Sequence, residues 1–408
     1  MSNATIEKES VVMANVSKNN SPKIDKELIC DKFVALEKQL NEAVLERENL
    51  VHGAILALIS GTNIVQLGVP GTAKSYITNK LSEAIQGSYF HYLLTKNTVP
   101  DEIFGTIDLG ILEREARYVR NTTNTMVDAH LIFADEIFKG SSAVRNSLLT
   151  LANEHLFNNG NGMVKTPLVS MFAASNEGPE NEGDHAIWDR FLQRFNVNVL
   201  EGATTFKNLL GRKIRKEITV KISIAEILVA QEEMENVEIS EQIIDQILML
   251  KGELAKLGIS LGDRRWFQSV NLLKANAWLE GRTEVTADDF DVLKNVLWEN
   301  YERDYQRISQ MIVKMVDPDV ALAKEFYEQI CEMLNKPINS RHQASPIFAD
   351  VRNIFVEIDK LFQKSGGVTV EANGEKTRQG GNAKIRQMCE SVTLKQKEIL
   401  AKIATMTT

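Results

Sequence analysis

The sequence predicts an α/β chain: a parallel sheet covered by helices on both faces, then an all-helical second domain and a C-terminal helical extension. Three observations predict it. Short apolar runs alternate with helical periodicity between residues 63 and 200. The first of these runs leads directly into a glycine-containing loop and another helical segment. Past residue 218 the strand-like runs give way to helical repeats.

The elements follow in order. Residues 1–23 are polar and aperiodic, and read as a mobile tail. Residues 25–60 are helical, with Leu28, Phe33, Leu36, Leu40, Val44 and Leu45 on one face and a second apolar run at 54–59. NIVQL at 63–67 reads as a buried strand, and residues 75–84 as the helix after the loop. Further strands are expected at 89–94, 131–134, 168–174 and 195–200. Residues 102–127, with Gly105, Gly110 and the alternating ARYVR, read as a hairpin excursion. NNGNG at 158–162 signals a turn. Helices are expected over 222–257, 264–279 and 287–298, the last opened by an N-cap in TADD at 286–289. A glycine-rich break at 365–381 carries the turn pair Asn373–Gly374, so a linker or a small hairpin is expected there. The expected domains are a tail at 1–23, an αβα core at 24–216, a helical domain at 217–306 and a helical extension at 307–408.

Composition narrows the classes. A net charge of -8 counts against a general nucleic-acid binder, because phosphate backbones recruit basic faces. Cys30, Cys331 and Cys389 are scattered, with no disulfide framework or metal-binding pair, which fits a reducing cytoplasm. No apolar run reaches membrane-spanning length, and the N-terminus lacks a signal-peptide core. The six histidines have no ligand spacing. Trp266, Trp278 and Trp298 read as helical-domain core rather than a platform for bases. Lys207, Arg212, Lys213, Arg215 and Lys216 form a basic run, read as a solvated linker, with a subunit or partner contact as the alternative.

The chemistry concentrates in QLGVPGTAKSYI, residues 66–77. The phosphate-loop pattern is G-x-x-x-x-G-K-[ST]. Gly68, Lys74 and Ser75 are in place, but Ala73 stands where glycine is usual. Residues Gly68, Val69, Pro70, Gly71, Thr72, Ala73, Lys74, Ser75 and Tyr76 would cradle the phosphates of ATP with backbone N–H groups and a helix N-terminus. Lys74 would reach the β- and γ-phosphates, and Ser75 would ligate Mg²⁺. Ala73 is expected at negative φ beside the helix start, where a methyl group is tolerated. LIFADE at 131–136 is an apolar strand ending in two carboxylates. Asp135 would share the Mg²⁺, and Glu136 would polarise the attacking water. Asn176, at the end of FAASN, would hold that water or the γ-phosphate. An arginine of WDRFLQR at 188–194 could neutralise transition-state charge from a neighbouring subunit.

These strings together resemble the AAA+ ATPases of the MoxR group. GVPGTAKS, LIFADEIFKGSSAVRNSLLTLANEHLF, FAASNE and WDRFLQRF carry the likeness, and it spans residues 36–298. It looks most like the RavA type (regulatory ATPase variant A), which also has alanine before the lysine. The resemblance implies an αβα core, a helical lid and a hexameric ring. It implies Walker A roles for Lys74 and Ser75, Walker B roles for Asp135 and Glu136, and sensor 1 for Asn176. Arg190 matches the arginine finger, with Arg194 as the other choice. Arg265 is favoured over Arg264 for sensor 2. Residues 102–127 match the helix-2 insertion and 158–164 the pre-sensor insertion, both facing the ring pore. His52, shortly before the first strand, could line the adenine pocket. The RavA type also carries an inserted α/β domain that recruits a lysine decarboxylase. About 100 residues follow the lid here and they read as helical, so that domain and its partner are not carried over.

The function expected is therefore Mg²⁺-dependent ATP hydrolysis that drives chaperone-like remodelling by a ring. The partner class the resemblance implies is a protein with a von Willebrand factor A domain. Two alternatives stay open: a nucleic-acid motor or loader on the same scaffold, and a nucleotide-gated scaffold with little turnover.

Overall fold

The computed structural model describes residues 26–160, 162–200, 202–211, 217–334, 341–372 and 375–405. The tail at 1–23, Asn161 in the expected turn, Asn373 and Gly374, and Arg212, Lys213, Arg215 and Lys216 of the basic run lie outside the described residues.

The central sheet has five strands: β1 (Ile64–Leu67), β2 (Tyr89–Leu93), β3 (Leu131–Asp135), β4 (Ser170–Ser175) and β5 (Gln193–Asn196). Their spatial order is β2-β3-β4-β1-β5, and every neighbouring pair is parallel. Ile64 stands opposite Phe172 on one side and Gln193 on the other. β1, β3 and β4 are near-continuous apolar runs because a parallel sheet is buried on both faces. The carboxyl ends of β1, β3 and β4 therefore open on one crevice, where such sheets bind ligands.

The fifth strand begins two residues before the expected 195 and stops at Asn196. Gln193 and Arg194 look too polar for a buried strand, yet both are buried, because the Gln193 amide and both terminal nitrogens of Arg194 find partners; only Arg194 Nε is left without one. Gln193 Nε2 donates to the Gly53 carbonyl at 3.0 Å, and Arg194 Nη1 to the Trp298 carbonyl at 2.7 Å.

Helices α1 (Lys26–Ala43) and α2 (Glu48–Ser60) precede the sheet, and α3 (Lys74–Ala84) follows the loop after β1. Two excursions leave the sheet. Residues 102–127 are more helical than a hairpin: Ile107 and Arg120 form one antiparallel bridge, and a helix, Leu109–Glu115, lies between them. Asp108 caps that helix by accepting from the Ile111 N–H. Helix α4 (Ser142–Glu154) leads into the second excursion, an antiparallel pair Leu156–Asn158 and Met163–Lys165. Asn159 ties the two excursions together. Its amide donates to the Arg120 carbonyl at 3.2 Å, and its oxygen accepts from the Arg120 N–H at 2.7 Å.

After β4 come α5 (Glu182–Trp188), the helix Ala203–Gly211, α6 (Ile224–Glu235), α7 (Glu241–Lys256) and α8 (Asp263–Leu279). The expected helix over 222–257 is two helices. A capping box of Ser223 and Glu226 starts the first, and residues 236–240 separate them. The expected helix at 287–298 is a 3₁₀ segment, Ala287–Asn295, also opened by a capping box, between Thr286 and Asp289. Asp289 is fully buried but accepts from Asn276 and Arg282. α6 and α8 pack on α2. Trp266 and Trp298 are buried, and Trp278 meets Phe33 edge-on at 5.9 Å.

The chain divides into two compact units, one of Met1–Asp245 with Gly258–Tyr301, the other of Gln246–Leu257 with Glu302–Thr408. The second unit holds the helices Tyr301–Val316, Pro318–Leu334, Arg341–Lys364 and Ala383–Thr405 and an antiparallel hairpin, Gly367–Ala372 and Glu375–Gly380, on which the last two helices pack. Val320, Ile330, Val351, Phe362, Ile385 and Cys389 form the core of that unit. Among the described residues no helix is long and apolar enough to cross a membrane.

Candidate active site

The site starts at the end of β1. Gly68 has φ +155, and a Cβ there would sit 2.2 Å from the Val197 carbonyl oxygen. Only glycine lets β1 turn this close to the chain leaving β5. Gly71 has φ +82 with open space around it. Ala73 overturns an expectation. Its φ is +69 and ψ 22, the left-handed region, where negative φ was expected. The loop turns sharply into α3 there, and the turn dictates the sign of φ more strongly than the side chain does. An alanine in this region costs on the order of 1 kcal/mol, which the loop's fixed ends must hold.

Lys74 folds over the loop. Its ammonium donates to the carbonyls of Gly68 at 2.6 Å and Val69 at 3.0 Å, and to Asn176 Oδ1 at 3.2 Å. Burial holds its pKa below the usual lysine value, although Asp135 and Glu136 pull the other way. β3 delivers the two carboxylates. Asp135 accepts from the Glu136 N–H at 3.0 Å, and Glu136 adopts a left-handed φ of 54 immediately after the strand. That backbone turn aims Glu136 back at the tip of β4, where Asn176 donates its amide to Glu136 Oε1. Lys139 Nζ lies 3.1 Å from the other oxygen, near enough to pair but not aligned as a hydrogen bond. Asn176 thus bridges the loop lysine and the Glu136 carboxylate.

These groups share a cavity of about 870 Å³ lined by residues 70–76, Asp135, Glu136 and Asn176. The remaining wall is mostly apolar: Val44, Leu45, Val199, Leu200, Phe206 and Leu209. A polar phosphate end beside an apolar end is what a nucleotide needs. Ser75 and Asp135 both face this cavity, so a hard divalent cation would find oxygen donors from two elements. Sequence reasoning missed Arg47, which also lines the cavity. Its guanidinium donates to the carbonyls of Thr72 and Asn198, tying the loop to the chain beyond β5. The one available signal was a charged break, EREN at 46–49, between two helical runs.

His52 does not line this cavity. Its ring is held between Glu37, 2.9 Å from Nδ1, and Asn276, 2.7 Å from Nε2, beside a separate pocket of about 140 Å³. The arginines also stand apart from the loop. Arg194 is fully buried, stacked on Trp188 at 4.3 Å and paired with Glu299 at 3.0 Å. Arg265 is buried too, with one arm on Glu299 and the other on Asp189 at 2.9 Å. Arg190 and Arg264 meet at Asn153, whose oxygen, with the amide turned to satisfy both, accepts from Arg190 Nε at 2.8 Å and Arg264 Nη1 at 2.7 Å. Burial, then the neighbouring Arg264 charge, lowers the Arg190 pKa from its ordinary value.

The comparisons with known proteins bear on this geometry. The model of the MoxR domain in the MoxR-vWA-beta-propeller ternary systems matches residues 31–237. The chain belongs to the MoxR family. An AAA lid domain matches residues 242–312 of this MoxR chain, so the fold is an AAA+ αβα core followed by a helical lid. An uncharacterized protein of Methanocaldococcus jannaschii is 35% identical over 287 residues, 70% of this chain and 74% of that protein. A second from the same organism is 31% identical over 84% of this chain and 96% of its own length. Chaperone MoxR1 of Mycobacterium tuberculosis is 26% identical over 39% of this chain and 42% of its own. The crystal structure of a protein assigned as an ATPase from Cytophaga hutchinsonii aligns with a TM-score of 0.57 at 20% identity, covering 72% of this chain and 96% of that one.

Proposed function

We propose that this MoxR chain is a Mg²⁺-dependent ATPase of the RavA type that works as a cytoplasmic ring and remodels a protein partner. The observation that carries the reading is the convergence of Lys74, Ser75, Asp135, Glu136 and Asn176 on one cavity with an apolar end. Lys74 holds the β- and γ-phosphates against the loop N–H groups. Ser75 and Asp135 would hold the Mg²⁺, which would supply charge neutralisation at the phosphates when bound. Glu136 accepts a proton from the attacking water, and Asn176 orients both the carboxylate and Lys74. The apolar wall of Val44, Leu45, Phe206 and Leu209 takes the base, and Arg47 braces the loop beside it.

Neither arm of the half-buried Arg190 is spent on the chain's own phosphate loop. We place it at the neighbouring subunit's γ-phosphate, where an arginine completes the charge balance. The partner class is a protein with a von Willebrand factor A domain, as in the systems that name the matching family model. The deciding experiment is the ATPase rate per subunit with Mg²⁺ over a wide range of protein concentration, for wild type, Glu136→Gln and Arg190→Ala. A rate that rises with concentration and is lost in both variants supports shared sites in a ring. A flat, near-zero rate with intact ATP binding sinks the motor reading.

A further inference from the structure

Two consecutive arginines at the start of α8 hold two consecutive residues after α5. Arg264 meets Arg190 over Asn153, and Arg265 pairs with Asp189. The second grip is the firmer. Arg265 is only 4% exposed, and a buried guanidinium keeps its place only when its arms are matched by charge. Its other arm goes to Glu299, which also accepts from the Trp188 indole at 3.1 Å and pairs with Arg194. Trp188, Asp189 and Arg194 are therefore all fastened to one carboxylate–arginine knot. Of the charged residues in the segment 188–194, only Arg190 is left outside that knot, on Asn153. Asn153 in turn sits on α4, whose other end follows Glu136.

We propose that Arg265 is a positioning residue for Arg190: through Asp189 and Glu299 it makes the finger move with the lid helix, and it does not touch the nucleotide of its own subunit. This rests on the ring reading above. It adds that the lid of one subunit sets the rate of the next. Arg265 was expected to sense its own nucleotide, and among the described residues its guanidinium is spent on Glu299 and Asp189 instead.

Mixed rings separate the two roles. Subunits carrying Glu136→Gln alone, or Glu136→Gln with Arg265→Met, are mixed in excess with wild type, and the residual wild-type rate is read. The doped subunits have no working site of their own, so any further loss acts on a neighbour. Arg265→Met is expected to lower the residual rate at least about tenfold more, since misplacing a group by an ångström can cost about a hundredfold. Binding of a fluorescent ATP analogue to the variant alone is expected to stay within about twofold of wild type, because no phosphate contact is lost. Asp189→Asn, at a residue more than half exposed, keeps Arg265 paired with Glu299 and guards against misfolding. It is expected to reproduce the loss, and Arg265→Lys to restore part of it. The proposal is overturned if doped double variants match Glu136→Gln alone, if Asp189→Asn behaves as wild type, or if Arg265→Met loses the analogue. The mixing is read only where Arg190→Ala doping slows wild type. Failure of that control condemns the ring reading itself.

Discussion

Lys74 Nζ lies 3.2 Å from Asn176 Oδ1, and the same amide donates its nitrogen to Glu136. One side chain at the tip of β4 therefore sets both the loop lysine and the carboxylate proposed to take the proton. Asn176→Ala is expected to cut kcat by about a hundredfold or more, the scale for losing one preorganised polar group at a reacting centre. ATP affinity is expected to change only a few-fold, because Lys74 keeps its loop contacts. Steady-state kinetics beside equilibrium binding checks the split.

Lys74→Ala and Glu136→Gln should separate binding from turnover. Removing the ammonium leaves the loop N–H groups without their cation, and ATP should no longer raise the melting temperature. Glu136→Gln retains the cradle, so ATP still protects; at a hundred times Kd the protection is about 2.7 kcal/mol. Its rate should fall by about 10²–10⁴, the usual contribution of a general base. ATP-dependent melting curves and phosphate release give the two readings.

Ala73→Gly tests the left-handed turn. With φ at +69, glycine removes a steric cost of about 1 kcal/mol, offset in part by greater freedom of the unfolded chain. The variant should be slightly more stable without nucleotide and should bind ATP at least as well. Gly68→Ala should do the reverse, since its Cβ would meet the Val197 carbonyl. Chemical denaturation of both variants decides it.

The strands and the loop were legible because their signals are local: apolar runs and glycines at fixed spacing. What sequence could not supply came from long-range satisfaction of polar groups. The strand at 193–196 was masked by Gln193 and Arg194, whose partners Gly53 and Trp298 lie about a hundred residues or more away. The sign of φ at Ala73 belongs to the turn rather than to alanine. Arg47 reaches the loop from a break in an earlier helical run. Arg264 and Arg265 are chemically equal in sequence, and only burial tells them apart.

His52 gives the lid packing a pH dependence. Burial lowers its pKa, but the bond and charge of Glu37, the Asn276 oxygen and the charge of Glu280 outweigh this, and the net shift is upward. The pocket beside it also carries Asp288, Asp291 and Lys294. A raised folded pKa means that its stabilisation is complete below the unfolded value near 6.5 and is lost as pH rises through the folded value. Melting temperature should therefore decline above pH 6.5 by more in wild type than in His52→Gln. Parallel curves for the two proteins would rule the contribution out.

Arg190 and Arg194 stand four residues apart and should fail in opposite ways. Arg194 has no exposed side-chain surface; it holds two backbone carbonyls, the Trp188 ring and Glu299. Arg194→Ala strands those acceptors and opens a void under two tryptophans, at a cost of about 3 kcal/mol or more. Loss of ATPase in that variant should follow loss of fold. Arg190 is half-buried and hydrogen-bonded to one amide, beside a like charge that already disfavours it. Arg190→Ala should change stability by less than about 1 kcal/mol. Its ATPase rate should drop by about 10³, the lower end for an arginine at the transferring phosphoryl group. Unfolding curves set beside kcat for the pair make the comparison. If Arg190→Ala unfolds with the same penalty as Arg194→Ala, or keeps its rate, the residue is part of the scaffold and not the finger.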